Sequence, residues 1–364
     1  VKKIIFFHLL NDYSGSPKVL SQVIEAVSKK GVQAELFLGG RGSAGFLSSA
    51  PCVQRRYFYK RFDNKFLTLI SYSFSQLVLF FKLLKYRRST AVFYVNTLLP
   101  FGAALAGKLL GIKVVYHIHE TSIRPLPLKV FLRLIVEKCS SVNIFVSHFL
   151  ARTEGFAAIA SSVVYNAIPP EMSRIAERHV YQPTPDGRFG VLMICSLKAY
   201  KGINEFVKIA RLLSAHPLFK FTLILGATEN EVTEFFSSTV IPDNLTIVPG
   251  CADVVPYYQK ASVLLSLSKP TEWVETFGLT ILEGLSFGIP CIVPPVGGPV
   301  ELVSEDSEGY LMASDRVEDI AAKLVFLQEN PDVCYRLSEA ARVKSLSFSS
   351  EQFESGVLGV FDEI

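Results

Sequence analysis

TEWVETFGLTILEGLSFGIPCIVPPVGGP (271–299) sets two glutamates, Glu275 and Glu283, eight positions apart around the run Thr276, Phe277, Gly278 and Leu279. On one regular helix, eight residues separate two side chains by about 80° in azimuth and ~12 Å along the axis. That geometry does not make a carboxylate dyad sharing a proton. Pro270 and Thr271 place Glu275 in a loop, and FGLTILEGLSFG reads as the helix, closed by Gly288 before Pro290. The backbone N–H groups around Phe277, Gly278 and Leu279 then lie at a helix N-terminus, where unused donors and the positive end of the dipole suit a phosphate. Gly278 allows a ligand close to the backbone. Glu283, flanked by Leu282 and Leu285, is expected to be partly buried and to accept hydrogen bonds from a diol such as a ribose.

Working outward, apolar runs rich in β-branched and aromatic residues alternate with helical patterns along the whole chain. KIIFFHLL, QAELFLGG, AVFYVN, KVVYHIHE and SVNIFVS are strand candidates in the first half. RFGVLMIC, FTLILG, NLTIVPG, SVLLSLS and PCIVPPV follow in the second. Continuous apolar strands separated by helices predict parallel sheets covered on both faces. The Pro-rich, polar segment YNAIPPEMSRIAERHVYQPTPDGRFG (165–190) reads as a linker, so 364 residues divide into two Rossmann-like α/β domains with a cleft between them. The expected boundaries are 1–168, 169–345 (linker included) and a C-terminal helix over 346–364.

Charge divides with the chain. Residues 1–168 hold 22 Lys and Arg against 7 Asp and Glu, a net of +15, while the remainder holds 15 against 26, a net of −11. A basic first half faces an anionic partner: membrane, nucleic acid or a phosphorylated substrate. The basic residues are not interleaved with a recognisable nucleic-acid motif, so that partner is not expected. Six cysteines stand singly, without metal-ligand spacing, as in a reduced intracellular protein. The opening VKKIIFFHLLND imitates a signal peptide, but its apolar run is broken by His8 and ends at Asn11, so a first strand is expected.

Several motifs fail on context. Gly40, Gly42 and Gly45 form a G-x-G-x-x-G, but Pro51 leaves no room for the helix a dinucleotide needs. No Asp-x-Asp, HExxH, GxSxG or Walker sequence occurs, and no metal or cofactor is expected. The stretch Phe66 to Phe81 is uncharged over 16 residues but carries three serines and Gln76, too short and too polar for a span. Two readings stay open: a helix packed in the core, or an interfacial helix on anionic lipid between its basic flanks.

ETFGLTILEGLSFGIPCIVPPVGGPVELV resembles the E-x7-E signature of retaining glycosyltransferases of the GT-B fold, family 4 in particular. Other segments match in the family's order: YSGSPKVLSQVIEAVSKKGVQAELF its glycine loop and first helix, VVYHIHE its His-acid element, VVYNAIP its hinge. LKAYKGINEFVKIARLL is similar to its Lys-Gly element, VPGCADVVPYYQKASVLLSLS to the segment before the glutamates, and SEGYLM to the one after. Ser196 stands where the family usually has an arginine, with Lys198 nearby, and the usual glycine pair is reduced to Gly15.

The resemblance implies the GT-B fold: two Rossmann-like domains facing each other across a cleft, with the C-terminal helix crossing back to the first domain. It implies a retaining transfer from a nucleotide-sugar donor to a hydroxyl of a glycan or polyprenyl-linked saccharide, in cell-surface polysaccharide synthesis. His119 would face the donor sugar, Glu275 its hydroxyls and Lys201 the diphosphate. Donor binding would fall to Ser14, Gly15, Ser16, Lys198, Thr276, Phe277, Gly278, Leu279 and Glu283, and acceptor binding to Asn96 and Thr97. A cytoplasmic protein, peripheral at the inner face of an anionic membrane, is expected. The alternatives are a GT-B nucleotide-sugar epimerase and a non-catalytic nucleotide-sugar-binding subunit.

Overall fold

Thirteen strands, all in parallel pairs, build two sheets among the described residues. The computed structural model describes residues 1–40, 42, 44–251 and 253–364. Arg41 and Ser43 of the glycine-rich loop, and Ala252 of the segment before the glutamates, lie outside them. The chain falls into two units, Val1–Asn166 with Glu351–Ile364, and Ala167–Ser350.

The first unit carries β1 (Lys3–His8), β2 (Gln33–Gly39), β3 (Val53–Tyr57), β4 (Val92–Asn96), β5 (Val114–Ile118), β6 (Val142–Phe145) and β7 (Ala160–Val163). Their order is β3-β2-β1-β4-β5-β6-β7. The central strands are buried on both faces, as their unbroken apolar runs require, with Phe6, Phe7, Phe37, Phe93 and Tyr94 in the core. The edge strands β3 (VQRRY) and β7 (ASSV) are the two that apolar runs do not reveal, because one or both of their faces meet solvent. The terminal helix Ser350–Asp362 belongs to this sheet, burying Phe353, Val357, Val360 and Phe361. Phe361 meets Tyr94 at 5.8 Å between ring centroids, and Glu354 pairs with Lys29 at 2.5 Å.

The second unit carries β8 (Phe189–Cys195), β9 (Phe219–Leu225), β10 (Leu245–Pro249), β11 (Val263–Leu265), β12 (Cys291–Val293) and β13 (Gly309–Leu311), ordered β10-β9-β8-β11-β12-β13. Parallel neighbours need crossover connections, and helices flank each sheet. In each sheet the order reverses once, between β1 and β4 and between β8 and β11. Loops leaving adjacent strands at such a point diverge to opposite faces and open a crevice at the carboxyl ends. The residues singled out in the sequence gather there.

Candidate functional site

In the second unit, Lys201 leaves β8 and Glu275 leaves β11, the two strands that flank the reversal. Lys201 ends a 3-10 turn, Ala199–Lys201, and Gly202 follows at φ 82°. A Cβ on Gly202 would collide with the Leu267 backbone, so only glycine lets the two strand-end loops lie this close. Lys201 Nζ consequently reaches Glu275 Oε2 at 2.6 Å. Burial disfavours the ammonium, but the charge and hydrogen bond of Glu275 outweigh it and hold Lys201 above its usual range. Cys195, beneath the pair, is pushed up to about 12 by burial. Lys198 is exposed on the same loop; the hydrogen bonds of Thr228, and then the Lys198 field, hold the Glu231 carboxyl down.

The expected helix runs Leu279–Ser286, with Gly278 as its N-cap at φ 107°. A Cβ on Gly278 would press on Ile281, and the left-handed backbone would strain any other residue. The first bonds of the helix run from the N–H groups of Ile281 and Leu282 to Gly278 O, at 3.0 and 3.1 Å. The N–H groups before Ile281 therefore stay outside the helix's own ladder. Thr276 and Phe277 are buried, and the loop Gly297–Gly298 holds them from behind. Gly298 N–H donates to Glu275 O at 2.8 Å, and a Cβ on Gly298 would collide with the backbone of Thr276 and Phe277.

Glu283 is 3% exposed. Its Oε2 accepts from the Tyr258 hydroxyl at 2.6 Å, and the Tyr258 ring stacks on Phe287 at 5.5 Å. Tyr258 is thus a site residue that the sequence reading missed. Its only signal is the tyrosine in VVPYYQK, which has no fixed spacing from the glutamates. Tyr200 and Trp273 were missed as well. Their rings stack at 5.2 Å and 16°, beside Lys201 and Glu275 in sequence, and Lys269 N–H ties the two loops through Tyr200 O at 2.8 Å.

In the first unit the candidates meet at the ends of β1, β4 and β5. Ser14 caps the helix Gly15–Lys29, and its N–H and hydroxyl both donate to Asp12 Oδ1 at 2.9 and 2.5 Å. Gly15 and Ser16 are therefore the helix's first turn, so the glycine loop is short and already helical. Asn96 is fully buried. Its Oδ1 meets His119 Nε2 at 2.9 Å, and its Nδ2 lies 3.2 Å from Ser16 O and 3.1 Å from His8 Nδ1. Those partners use the whole amide, so Asn96 sits as the support under His119. Thr97 adopts φ 70° and is buried, its N–H bound to His117 O at 2.8 Å.

His117 and His119 lie on one face, their rings 4.2 Å apart, as strand alternation requires. His117 Nδ1 meets the Tyr94 hydroxyl at 2.7 Å. Burial holds His8 down to about 4 and His117 to about 3, and His119 lies well below its usual range through burial and then the fields of His117 and His8. Glu120 accepts from the N–H groups of Leu98 and His119, at 2.9 and 3.2 Å. Burial nevertheless pushes it up to about 7. Among the described residues no three His, Cys, Asp or Glu side chains converge as metal ligands.

Two parallel doubly wound sheets, each flanked by helices, and a long C-terminal helix packed on the first sheet define the class: this is a protein of the GT-B fold. Residues 176–344, within the second unit, match the family model of glycosyl transferases group 1. The solved structure of HepE of Anabaena with UDP and glucose superposes with a TM-score of 0.79 over 100% of both chains, at 17% identity. In sequence, an uncharacterised glycosyltransferase of Haemophilus influenzae is 24% identical over 165 residues, 44% of this chain and 46% of its own. The lipopolysaccharide core mannosyltransferase LpsB of Rhizobium meliloti is 26% identical over 141 residues, 38% of this chain and 39% of its own. The matched stretches thus span half or less of these curated relatives.

Proposed function

We propose that this protein transfers a sugar, with retention of configuration, from a nucleotide-sugar donor to a hydroxyl of a glycan or lipid-linked saccharide. One observation carries the reading: the Lys201–Glu275 pair sits at the strand reversal beside a helix N-terminus, with a buried carboxylate, Glu283, inside the same helix. No structural purpose requires an ammonium, an N-terminal row of N–H groups and a buried acid at one place. Together they match the parts of a nucleoside diphosphate sugar. The diphosphate takes the N–H groups near Phe277, Gly278 and Leu279 and the Lys201 charge. Glu283, oriented by Tyr258, accepts from the ribose hydroxyls, and Glu275 accepts from the sugar. The UDP and glucose in the HepE structure support this class of donor.

In this reading the anomeric carbon–oxygen bond to the diphosphate breaks through an oxocarbenium-like state, and the nucleoside diphosphate leaves. The acceptor oxygen bonds to the same face, and its proton passes to the departing phosphate oxygen. Lys201 and the helix N–H groups stabilise the charge that develops on the leaving group. In the first unit we assign His119, supported by Asn96, to the donor sugar, Ser14, Gly15 and Ser16 to its phosphates, and Thr97 to the acceptor side. The net charge of that unit, +11 from 22 basic and 11 acidic residues, supports an acceptor at an anionic membrane face.

Trp273, the single tryptophan, gives a direct test. Titrating UDP-, GDP-, ADP- and dTDP-sugars should change its fluorescence with one of them, and Lys201→Ala should weaken that binding at least ~10-fold. No response and no thermal shift with any donor overturns the reading. An isomerised sugar without acceptor reassigns the chain to the epimerase, and donor binding with no turnover on any acceptor to the non-catalytic subunit.

A further inference from the structure

The helix Lys65–Leu83 is built inside out. Ser71, Ser75 and Gln76 face inward with Tyr72, Leu79 and Leu83, while Phe66, Leu67, Ile70, Phe74, Leu77 and Phe81 are 47–68% exposed. A surface helix ordinarily shows the opposite arrangement. The inner face is fixed by specific bonds. Gln76 Oε1 accepts from Gly102 N–H at 3.2 Å, Ser71 Oγ from Lys60 N–H at 3.1 Å, and the Tyr72 hydroxyl donates to Leu99 O at 2.6 Å. A Cβ on Gly102 would collide with the Gln76 carbonyl, so this helix and Phe101–Leu110 touch backbone to backbone. The helix cannot roll to hide its phenylalanines.

The apolar face extends beyond one helix. Phe58 packs edge-on against Phe74 at 5.7 Å, and Phe101 bridges Tyr72 to Phe131 of the helix Leu126–Cys139, at 5.7 and 5.1 Å. That third helix exposes Leu126, Val130 and Leu134. Contiguous exposure on this scale marks an interaction surface. The surface has a charged rim: between Val53 and Arg88 stand nine Lys and Arg and one acid, Asp63. Arg55 is bound to Glu35, but Lys60, Arg61 and Lys65 at one end of the helix and Arg87 and Arg88 at the other have no ion-pair partner among the described residues.

We infer that this face docks on an anionic lipid bilayer, with the helix lying in the plane of the headgroups. An apolar strip about 23 Å long, from Phe66 to Phe81 and cationic at both ends, matches a surface whose phosphates lie directly above its acyl chains. A second copy of this chain would press the same cationic rim against itself. By length and mean hydropathy, 1.6, the segment Lys65–Tyr86 qualifies as a span, and with 33% of its apolar window buried it is not a core helix; its polar face, however, is bonded to its own unit. It lies on the membrane and does not cross it. This deepens the membrane side of the proposed function and uses nothing of the donor chemistry.

The test is co-sedimentation of the full chain, without nucleotide sugar, with vesicles of phosphatidylcholine alone or with added phosphatidylglycerol. Binding should be at least ~10-fold stronger to the anionic vesicles and should weaken with salt. Ile70→Ser/Phe74→Ser/Leu77→Ser should lose ~10-fold or more with an unchanged melting temperature, since these side chains leave no cavity. Lys60→Glu/Arg61→Glu should lose the preference for anionic lipid. Wild-type protein left in the supernatant at low salt overturns the inference, as does undiminished binding of the serine variant. A dimer abolished by that variant, without vesicle binding, assigns the face to a second copy. Donor titration on the same samples separates the two readings: lost vesicle binding with intact donor binding overturns only this one.

Discussion

Glu283 is buried, as the flanking Leu282 and Leu285 predict, and the structure adds the donor that orients it. A glutamate on a helix is ordinarily solvated, but here it is buried, and a tyrosine 25 positions upstream donates a hydrogen bond to it. Removing that donor takes one hydrogen bond from a buried carboxylate, which costs about 2 kcal/mol. Tyr258→Phe should lower the stability of the second unit by that amount in urea denaturation and weaken donor binding. An unchanged midpoint would mean that Glu283 is held otherwise. A second residue-scale prediction concerns the buried imidazoles. His8 and His117 are held near 4 and 3 against 6.5 when unfolded, so the folded unit binds fewer protons in that window. Their contribution is complete above pH 6.5 and is lost as pH falls through 4, on the order of 3 kcal/mol for His8 alone. Glu120 runs the other way: raised from 4.5 to about 7, its contribution is complete below 4.5 and lost as pH rises through 7. The histidines outnumber it, so stability of the first unit should fall between pH 6.5 and 4.5. His8→Gln should flatten that slope, and an equally steep profile in the variant would refute the assignment.

At the scale of elements, glycines set the approach of one segment to another. Gly298 holds the loop after β12 against the backbone of Thr276 and Phe277, which in turn sets the helix N-terminus where a phosphate is expected. Gly298→Ala should displace that segment, cost roughly 2 kcal/mol or more, and reduce donor affinity more than the stability loss accounts for. Unaltered binding in a folded variant would detach the N-terminus from the donor. Periodicity made this helix legible, since Pro270, Gly278, Gly288 and Pro290 punctuate it. The helix Lys65–Leu83 was left open between core and interface, because its composition is the same in both. Only the bonds made by Ser71 and Gln76 show which face is inside. The edge strands β3 and β7 were missed for a related reason: a strand buried on one face or neither carries too little apolar signal.

At the scale of the whole molecule, the chain leaves its first unit at Asn166 and returns to it at Glu351. Four buried apolar side chains of the last helix belong to the first sheet's core. Ending the chain at Ser350 should therefore destabilise the first unit by on the order of 5 kcal/mol and leave the second nearly unchanged. Calorimetry with separate transitions would show this, and an unaffected first unit would contradict the topology.

The sequence by itself determined what depends on local order. Alternating apolar runs and helical patterns specify parallel sheets, and punctuation by glycine and proline places a helix N-terminus between Glu275 and Glu283. The tertiary structure decided what depends on meetings between distant segments. Lys201 pairs with Glu275 across 74 positions, Asn96 supports His119 across 23, and the phenylalanines of 65–83 face outward because Gln76 is bonded inward. Periodicity records which faces a segment has. Only packing assigns each face its neighbour.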